Sequence, residues 1–228
     1  MICASCHSNE AVTGETRCAR CAPADSFAPF VPPGPPLRSP VGLGQATVIL
    51  LGLVAVGDLA MLWADRQPPS DLLSVLVGGS QVVLLTATAV VYLCWLWRVR
   101  VNAEVFDASS QSMKRGWTIG GWFVPVVNFW FPRRIVLDAW DASAPQGRPA
   151  GHGLVNGWWA LWLLSLFTER LATRDESAGD DAALWMSALS YVIDLVAAVL
   201  AAVVVMKLTR MQQERALQGP SLPSTALG

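Results

Sequence analysis

AALWMSALSYVIDLVAAVLAAVVVM, residues 182–206, decides the fold class. It contains no Lys, Arg or Pro, and its single charge is Asp194. At 1.5 Å per residue it exceeds the roughly 30 Å of a bilayer's hydrocarbon core, which predicts a spanning helix. Three more apolar stretches lie upstream at 46–64, 72–97 and 151–168, the last extendable to 172 past Glu169 and Arg170. A fifth, 117–132 (WTIGGWFVPVVNFWFP), is shorter and holds Gly120, Gly121 and Pro125. Broken backbone at membrane depth must be covered by protein or face water, so this stretch is expected to be interfacial or re-entrant on the cytoplasmic side. The expected fold is an all-α membrane protein with about four transmembrane helices, 46–64, 72–97, 151–172 and 182–206, in a domain spanning 42–211.

Composition agrees. Hydrophobic residues make up 53% of the 228-residue chain and charged residues 14%, with a mean hydropathy of +0.42, a membrane-like balance that makes the lipid bilayer the first expected partner. Net charge is -1 and the basic residues are scattered, so the basic face of a nucleic-acid binder is missing and no nucleic acid is expected. Arg replaces Lys except at Lys114 and Lys207, a usage typical of GC-rich bacterial sequences. Lys and Arg near span ends are retained in the cytoplasm. With 117–132 not crossing, thirteen basic residues fall inside and only Arg66, Arg170 and Arg174 outside, whereas a crossing would strand Lys207, Arg210 and Arg215 outside. The expected location is therefore the bacterial cell membrane, multi-pass, with both termini cytoplasmic. The first apolar run begins near residue 42, so no cleaved secretory signal is expected.

Residues 1–22 carry Cys3-x2-Cys6 and Cys18-x2-Cys21, two knuckle-like thiolate pairs of the kind that build a tetrahedral structural Zn2+ site in a zinc-ribbon-like module. So short a segment has almost no core, so a bound ion would supply most of its folding free energy. An iron–sulfur cluster and a redox-active dithiol are the alternatives. His7 reads as a solvated neighbour. Seven prolines within 23–41 predict a semi-rigid polyproline linker, and the polar residues 212–228 predict a disordered tail.

Asp58, Gln81 and Asp194 place polar groups at membrane depth, where an ionised side chain costs on the order of 3 kcal/mol. Counted from the outer helix ends, Asp58 is expected about 9 Å and Asp194 about 18 Å deep, with Gln81 between them. Such groups serve either as neutral interhelical hydrogen-bonding partners or as a path for a proton or cation. Eleven tryptophans are many for this length, and eight of them (Trp95, Trp97, Trp117, Trp122, Trp130, Trp158, Trp159 and Trp162) are expected to form an interfacial belt.

Residues 92–106 (YLCWLWRVRVNAEVF), a polar hinge, and 115–143 (RGWTIGGWFVPVVNFWFPRRIVLDAWDAS) hold Trp95, Arg98 and Asn102, then Trp117, Gly121, Trp122, Pro125, Asn128 and Pro132, then Trp140 and Ser143. In this pattern, across about 45–212, the chain resembles the bacterial membrane family catalogued as domain-of-unknown-function 4328. The resemblance implies a multi-pass membrane domain often joined to a cytoplasmic zinc ribbon or proline-rich tail, and it implies no known reaction. The chain departs from the family at Phe131, where a basic residue often precedes the proline. Trp95, Arg98 and Asn102 share one helical face, so they are expected to tie the broken segment to the bundle or, with Asn128, to line a pocket for an anionic headgroup or small solute.

No catalytic constellation emerges: the histidines are His7 and His152, and no nucleophile motif is present. An enzyme is not expected. Two readings remain: a non-catalytic adaptor or sensor whose zinc module meets a cytoplasmic protein partner, and a small channel or transporter using Asp58 and Asp194. Four spans make a minimal transporter, so the second reading calls for a homo-oligomer.

Overall fold

The structure, a computed structural model, describes residues 2–11, 16–18, 20–21, 36–64, 66–67, 71–145, 151–172 and 180–218. Most of the expected proline linker and the end of the expected tail lie outside the described residues. The chain forms two compact units, Met1–Pro36 and Leu37–Gly228.

The second unit is helical, in the order α1 (Val41–Ala64), α2 (Asp71–Phe106), α3 (Trp117–Gly120), a 3-10 turn (Val127–Phe129), α4 (Phe131–Ser143), α5 (Gly153–Ala172) and α6 (Asp180–Leu217). Among the described residues there is no strand, only an isolated bridge between Ile2 and Glu10 in the first unit. Val41–Ala64, Val75–Phe106 and Trp185–Leu217 are long and apolar enough to cross a membrane, and Gly153–Thr168 is a shorter apolar helix. Large side chains such as Leu53, Val56, Val82, Val83, Val192 and Val199 are exposed, as expected where the neighbour is lipid rather than protein.

α1 packs against both α2 and α6, and α5 packs along α6. One contact sets the register. Trp95 Nε1 donates to Thr209 Oγ1 at 3.0 Å, and a Cβ on Gly44 would lie 2.8 Å from that hydroxyl oxygen and 3.3 Å from the indole nitrogen. Gly44 thus lets α1 approach where α2 and α6 already touch.

α2 and α6 both overrun their expected ends at 97 and 206. Hydropathy marks where lipid contact stops, but the helices continue because their polar residues find partners in the protein. Gln212, expected to open the disordered tail, is 1% exposed within α6.

α4 is an element that the sequence analysis did not separate. Its N-terminus falls at Phe131, with Pro132 in the first turn, where a missing N–H costs nothing. Pro132, Ile135, Val136, Ala139, Trp140 and Ser143 follow a three–four spacing and are buried, and Leu137, Asp138 and Ala142 beside them are buried too, because α4 packs against α2, α5 and α6 at once. The stretch 117–132 is therefore two short helical pieces joined by turns, and its last two residues belong to α4.

The hydrophobic core sits at this same end of the unit. It comprises Trp95, Leu96, Val99 and Ala103 of α2, Val136, Leu137, Ala139, Trp140 and Ala142 of α4, Val155, Trp158 and Trp159 of α5, and Ala201, Val204, Val205 and Leu208 of α6. Trp95, Trp158 and Trp159 are thus core residues rather than members of the expected belt, because their rings pack on Tyr92, Trp122 and Trp162. Trp97, Trp117 and Trp130 remain exposed.

Candidate functional site

In the first unit Cys3 and Cys18 are buried, Cys6 and Cys21 half-buried, and all four Sγ atoms lie within 4.8 Å of one another. The chain turns tightly to achieve this. His7 N–H donates to Cys3 O at 3.0 Å, Cys3 N–H to Asn9 O at 2.9 Å, and Cys21 N–H to Cys18 O at 2.9 Å, while His7 itself takes a positive φ of 51°. Cys6 Sγ and Cys18 Sγ are 3.7 Å apart. A tetrahedral site with metal–sulfur bonds of about 2.3 Å has sulfur–sulfur edges of about 3.8 Å, so the cluster has the dimensions and the thiolate-only donor set of a metal site.

Electrostatics point the same way. A backbone hydrogen bond from Cys18 draws the Cys3 thiol down to about 6, while hydrogen bonds with the Cys18 and Cys6 sulfurs push the Cys21 thiol up to about 12. Four crowded sulfurs cannot all shed their protons unless a cation replaces them.

The motif residues of the second unit meet in a buried polar network. Both N–H groups of the Asn102 carboxamide are used, one donating to Arg38 O at 2.8 Å and one to Gln212 Oε1 at 3.0 Å, and its oxygen accepts from Arg38 N–H at 3.1 Å. Gln212 Nε2 donates in turn to Val99 O at 2.9 Å and Ser143 Oγ at 3.3 Å, and Ser143 Oγ donates to Ala139 O at 2.6 Å. Arg98 donates to Ser39 O at 2.9 Å. This network joins the chain leading into α1 with α2, α4 and α6. Trp140 packs beneath it, 1% exposed, with Lys207 Nζ 5.3 Å from its ring centroid. Asn102 has no free donor left for the solute pocket considered from sequence; Asn128 Oδ1 is buried without a partner.

Around the network, charged residues fix the hinge between α2 and α4. Arg100, 2% exposed, donates to Glu104 and to Met113 O, both at 2.6 Å, and Glu104 also binds Arg115. Buried Asp138 accepts from Ser112 N–H at 2.9 Å and from the Ser112 hydroxyl, and pairs with Arg134 at 3.1 Å. Arg133 grips Asn156 Oδ1 with two donors, which fastens α4 to α5. Gly121 is where the α3 turn closes, since a Cβ there would lie 2.8 Å from Trp117 O and 3.2 Å from Phe131 Cβ. Trp117 stacks edge-on to Phe131, and Trp122 edge-on to Tyr92 and Trp159. Pro125 lies exposed in the connecting turn. Gln212, Thr209 and Asp138 are site residues that sequence reasoning missed; Gln212 announced itself only as a polar residue three positions after Thr209, continuing its helical face.

At membrane depth, Gln81 Nε2 donates to Asp58 Oδ1 at 2.6 Å and to Val54 O at 3.3 Å. Asp194 lies within reach of the Ser165 hydroxyl. Residue counts from the Gly44–Trp95–Thr209 contact put Asp58 fourteen residues away, Gln81 fourteen and Asp194 fifteen, or about 21–23 Å along each helix. The three groups share one level, which corrects the staggered depths expected from helix ends. The helix ends are not level with one another: α1 stops six residues after Asp58, whereas α6 begins fourteen residues before Asp194.

These features define a helical domain with three helices able to span a membrane, closed at one end by a polar network built from spaced Trp, Arg, Asn, Pro and Ser. The chain belongs to the family described as domain of unknown function DUF4328, whose model matches residues 58–210. The match excludes the four-cysteine unit and stops short of Gln212. No curated protein and no solved structure matches the chain.

Proposed function

We propose that the chain is a non-catalytic adaptor or sensor of the bacterial cell membrane, whose N-terminal module holds a structural Zn2+ and meets a cytoplasmic protein partner. The observation that carries this reading is the cluster of four sulfurs within 4.8 Å of one another, in a compact unit of its own. Four thiolates fill a tetrahedral shell and leave no position for water or substrate, so such an ion organises a surface rather than catalyses. A unit of this size owes its fold largely to the ion.

In this reading the membrane domain is a fixed base. α5 is the fourth span: its 20 residues rise about 30 Å, and it runs along α6 with Thr168 Oγ1 3.5 Å from Ser190 Oγ. The polar network then lies at the cytoplasmic face, with α3 and the 3-10 turn interfacial beside it. Its side chains are spent on one another, which supports a role in holding the bundle together.

The test is photo-crosslinking in living cells from probes at the exposed positions Ser5 and Ser8, in the native sequence and in Cys18→Ser, with zinc content measured on the purified proteins. A crosslinked protein that disappears together with zinc in Cys18→Ser supports the adaptor. The same crosslinks in a zinc-free variant would show that the folded module is not the contact surface.

A further inference from the structure

The level occupied by Asp58, Gln81 and Asp194 carries an inference that does not rest on the adaptor reading. Gln81 is 8% exposed, and its carboxamide uses its N–H groups on Asp58 Oδ1 and Val54 O. Its carbonyl oxygen, Oε1, is buried and has no hydrogen-bond partner. The amide is seated over Gly57, where any Cβ would overlap Oε1. The close approach of α1 and α2 thus holds an unmet acceptor next to a carboxyl group. An acceptor in that position lacks a donor or a cation, and a buried acceptor without one costs about 1–3 kcal/mol.

The rest of the level has the same character. α5 contributes Ser165 and Thr168, both buried, and α6 contributes Ser190, also buried, and Asp194. Every side-chain ligand atom these residues offer, apart from the Gln81 N–H2, is an oxygen. Asp58 and Asp194 are the only charged residues within 46–64, 72–97 and 182–206. Across 72–91 α2 brings no titratable group to the level; α6 adds Tyr191 within a turn of Asp194, and α5 adds Glu169 and Arg170 one turn beyond Ser165.

We propose that this level is a cation-binding layer in the membrane, in which the carboxyls of Asp58 and Asp194 hold hard monovalent cations, a proton or Na+, with Gln81 Oε1 completing the Asp58 site. Gln81 Nε2 already donates to Asp58 Oδ1, so a proton on the second carboxyl oxygen would close an acid–amide pair, giving Oε1 its donor and removing a charge from membrane depth; a sodium ion shared by that oxygen and Oε1 would do the same by coordination.

Infrared spectroscopy of the full-length protein in lipid nanodiscs at neutral pH tests this, in sodium buffer and in choline buffer, by the C=O stretch of protonated carboxyl groups. If protons fill the layer, the band is present in both buffers, loses one component in Asp58→Asn and another in Asp194→Asn, and the Asp58 component shifts in Gln81→Leu. If sodium fills it, the band is absent in sodium and emerges in choline, with the same losses. The absence of a protonated-carboxyl band in both buffers, or a band unchanged in both Asn variants, overturns the proposal. A wild-type protein without the band in either buffer overturns the proposal whether or not a variant folds.

Discussion

Replacing Asn102 probes the polar network most directly, because its carboxamide serves Arg38 and Gln212 at once. Asn102→Ala removes three hydrogen bonds. Arg38 is exposed, so its backbone groups regain water; Gln212, 1% exposed, does not, and its Oε1 is orphaned. An orphaned buried carbonyl costs about 1–3 kcal/mol and each of the two other lost net hydrogen bonds about 1, so the variant should lose about 3–5 kcal/mol. Asn102→Asp is nearly isosteric but should be worse. It keeps the bond from Arg38 N–H, loses both donors, and sets an anionic oxygen against Gln212 Oε1 and Arg38 O, 3.0 and 2.8 Å from the original nitrogen. Unfolding in mixed detergent micelles with added SDS, followed by tryptophan fluorescence, measures both. A double-mutant cycle with Gln212→Leu should give a coupling of about 1 kcal/mol or more. An Asp variant as stable as wild type, or an Ala variant within about 0.5 kcal/mol of it, would refute the reasoning, since either means that Asn102 is hydrated rather than tied.

Gly44→Ala and Gly52→Ala should move stability in opposite directions in the same assay. A Cβ at Gly44 meets Thr209 Oγ1 at 2.8 Å and should cost about 1–3 kcal/mol, whereas Gly52 has nothing within 4 Å and should gain about 0.5–1 kcal/mol from helix propensity. Metal affinity of the four-cysteine unit should rise with pH. The Cys21 thiol, held up to about 12, still carries its proton at neutral pH, so loading releases at least that proton; each proton released weakens binding about tenfold per unit of acidification, read by competition with a chromogenic chelator. In a Cys94→Ser background a membrane-impermeant maleimide should label Gln67→Cys on intact cells, and Ser109→Cys and Gln218→Cys only after permeabilisation. Labelling of Ser109→Cys on intact cells would reverse the topology.

Hydropathy alone located the long apolar helices, because a run such as 182–206 has one physical solution in a bilayer. It misjudged where α2 and α6 end. Beyond 97 and 206 charged and polar residues alternate with apolar ones, and polarity in a single sequence does not distinguish a solvated side chain from one paired across the fold. Arg100 and Gln212 are 2% and 1% exposed. The partners of Asn102 stand 64 and 110 positions away, a separation that periodicity cannot read. α4 was legible in principle, since its buried face repeats at three–four spacing from Pro132 to Ser143. It went unseparated because the apolar run 117–132 overlaps its first two residues. Cysteine spacing, by contrast, carried its geometry with it: two residues between ligands is the span of one tight turn, whatever the rest of the chain does.

The two ends of the bundle are built on different principles. At the network end, α1, α2, α4 and α6 are joined by side chains reaching across tens of residues, over a core that includes Trp95, Trp140 and Leu208. About 21 Å away, at the level of Asp58, the described buried residues are mostly polar: Gln81, Ser165, Thr168 and Ser190. Apolar contact between helices gains little inside a bilayer, because lipid is as good a neighbour as leucine, so cohesion there depends on hydrogen bonds. The charge state of two carboxyls therefore bears on helix packing at that level far more than it would in water. In the proposed layer a cation gained or lost at Asp58 would change whether Gln81 Oε1 is satisfied, at the place where α1 and α2 close over Gly57. The network end is held differently, by the amides of Asn102 and Gln212, by buried rings and by paired charges such as Arg100–Glu104.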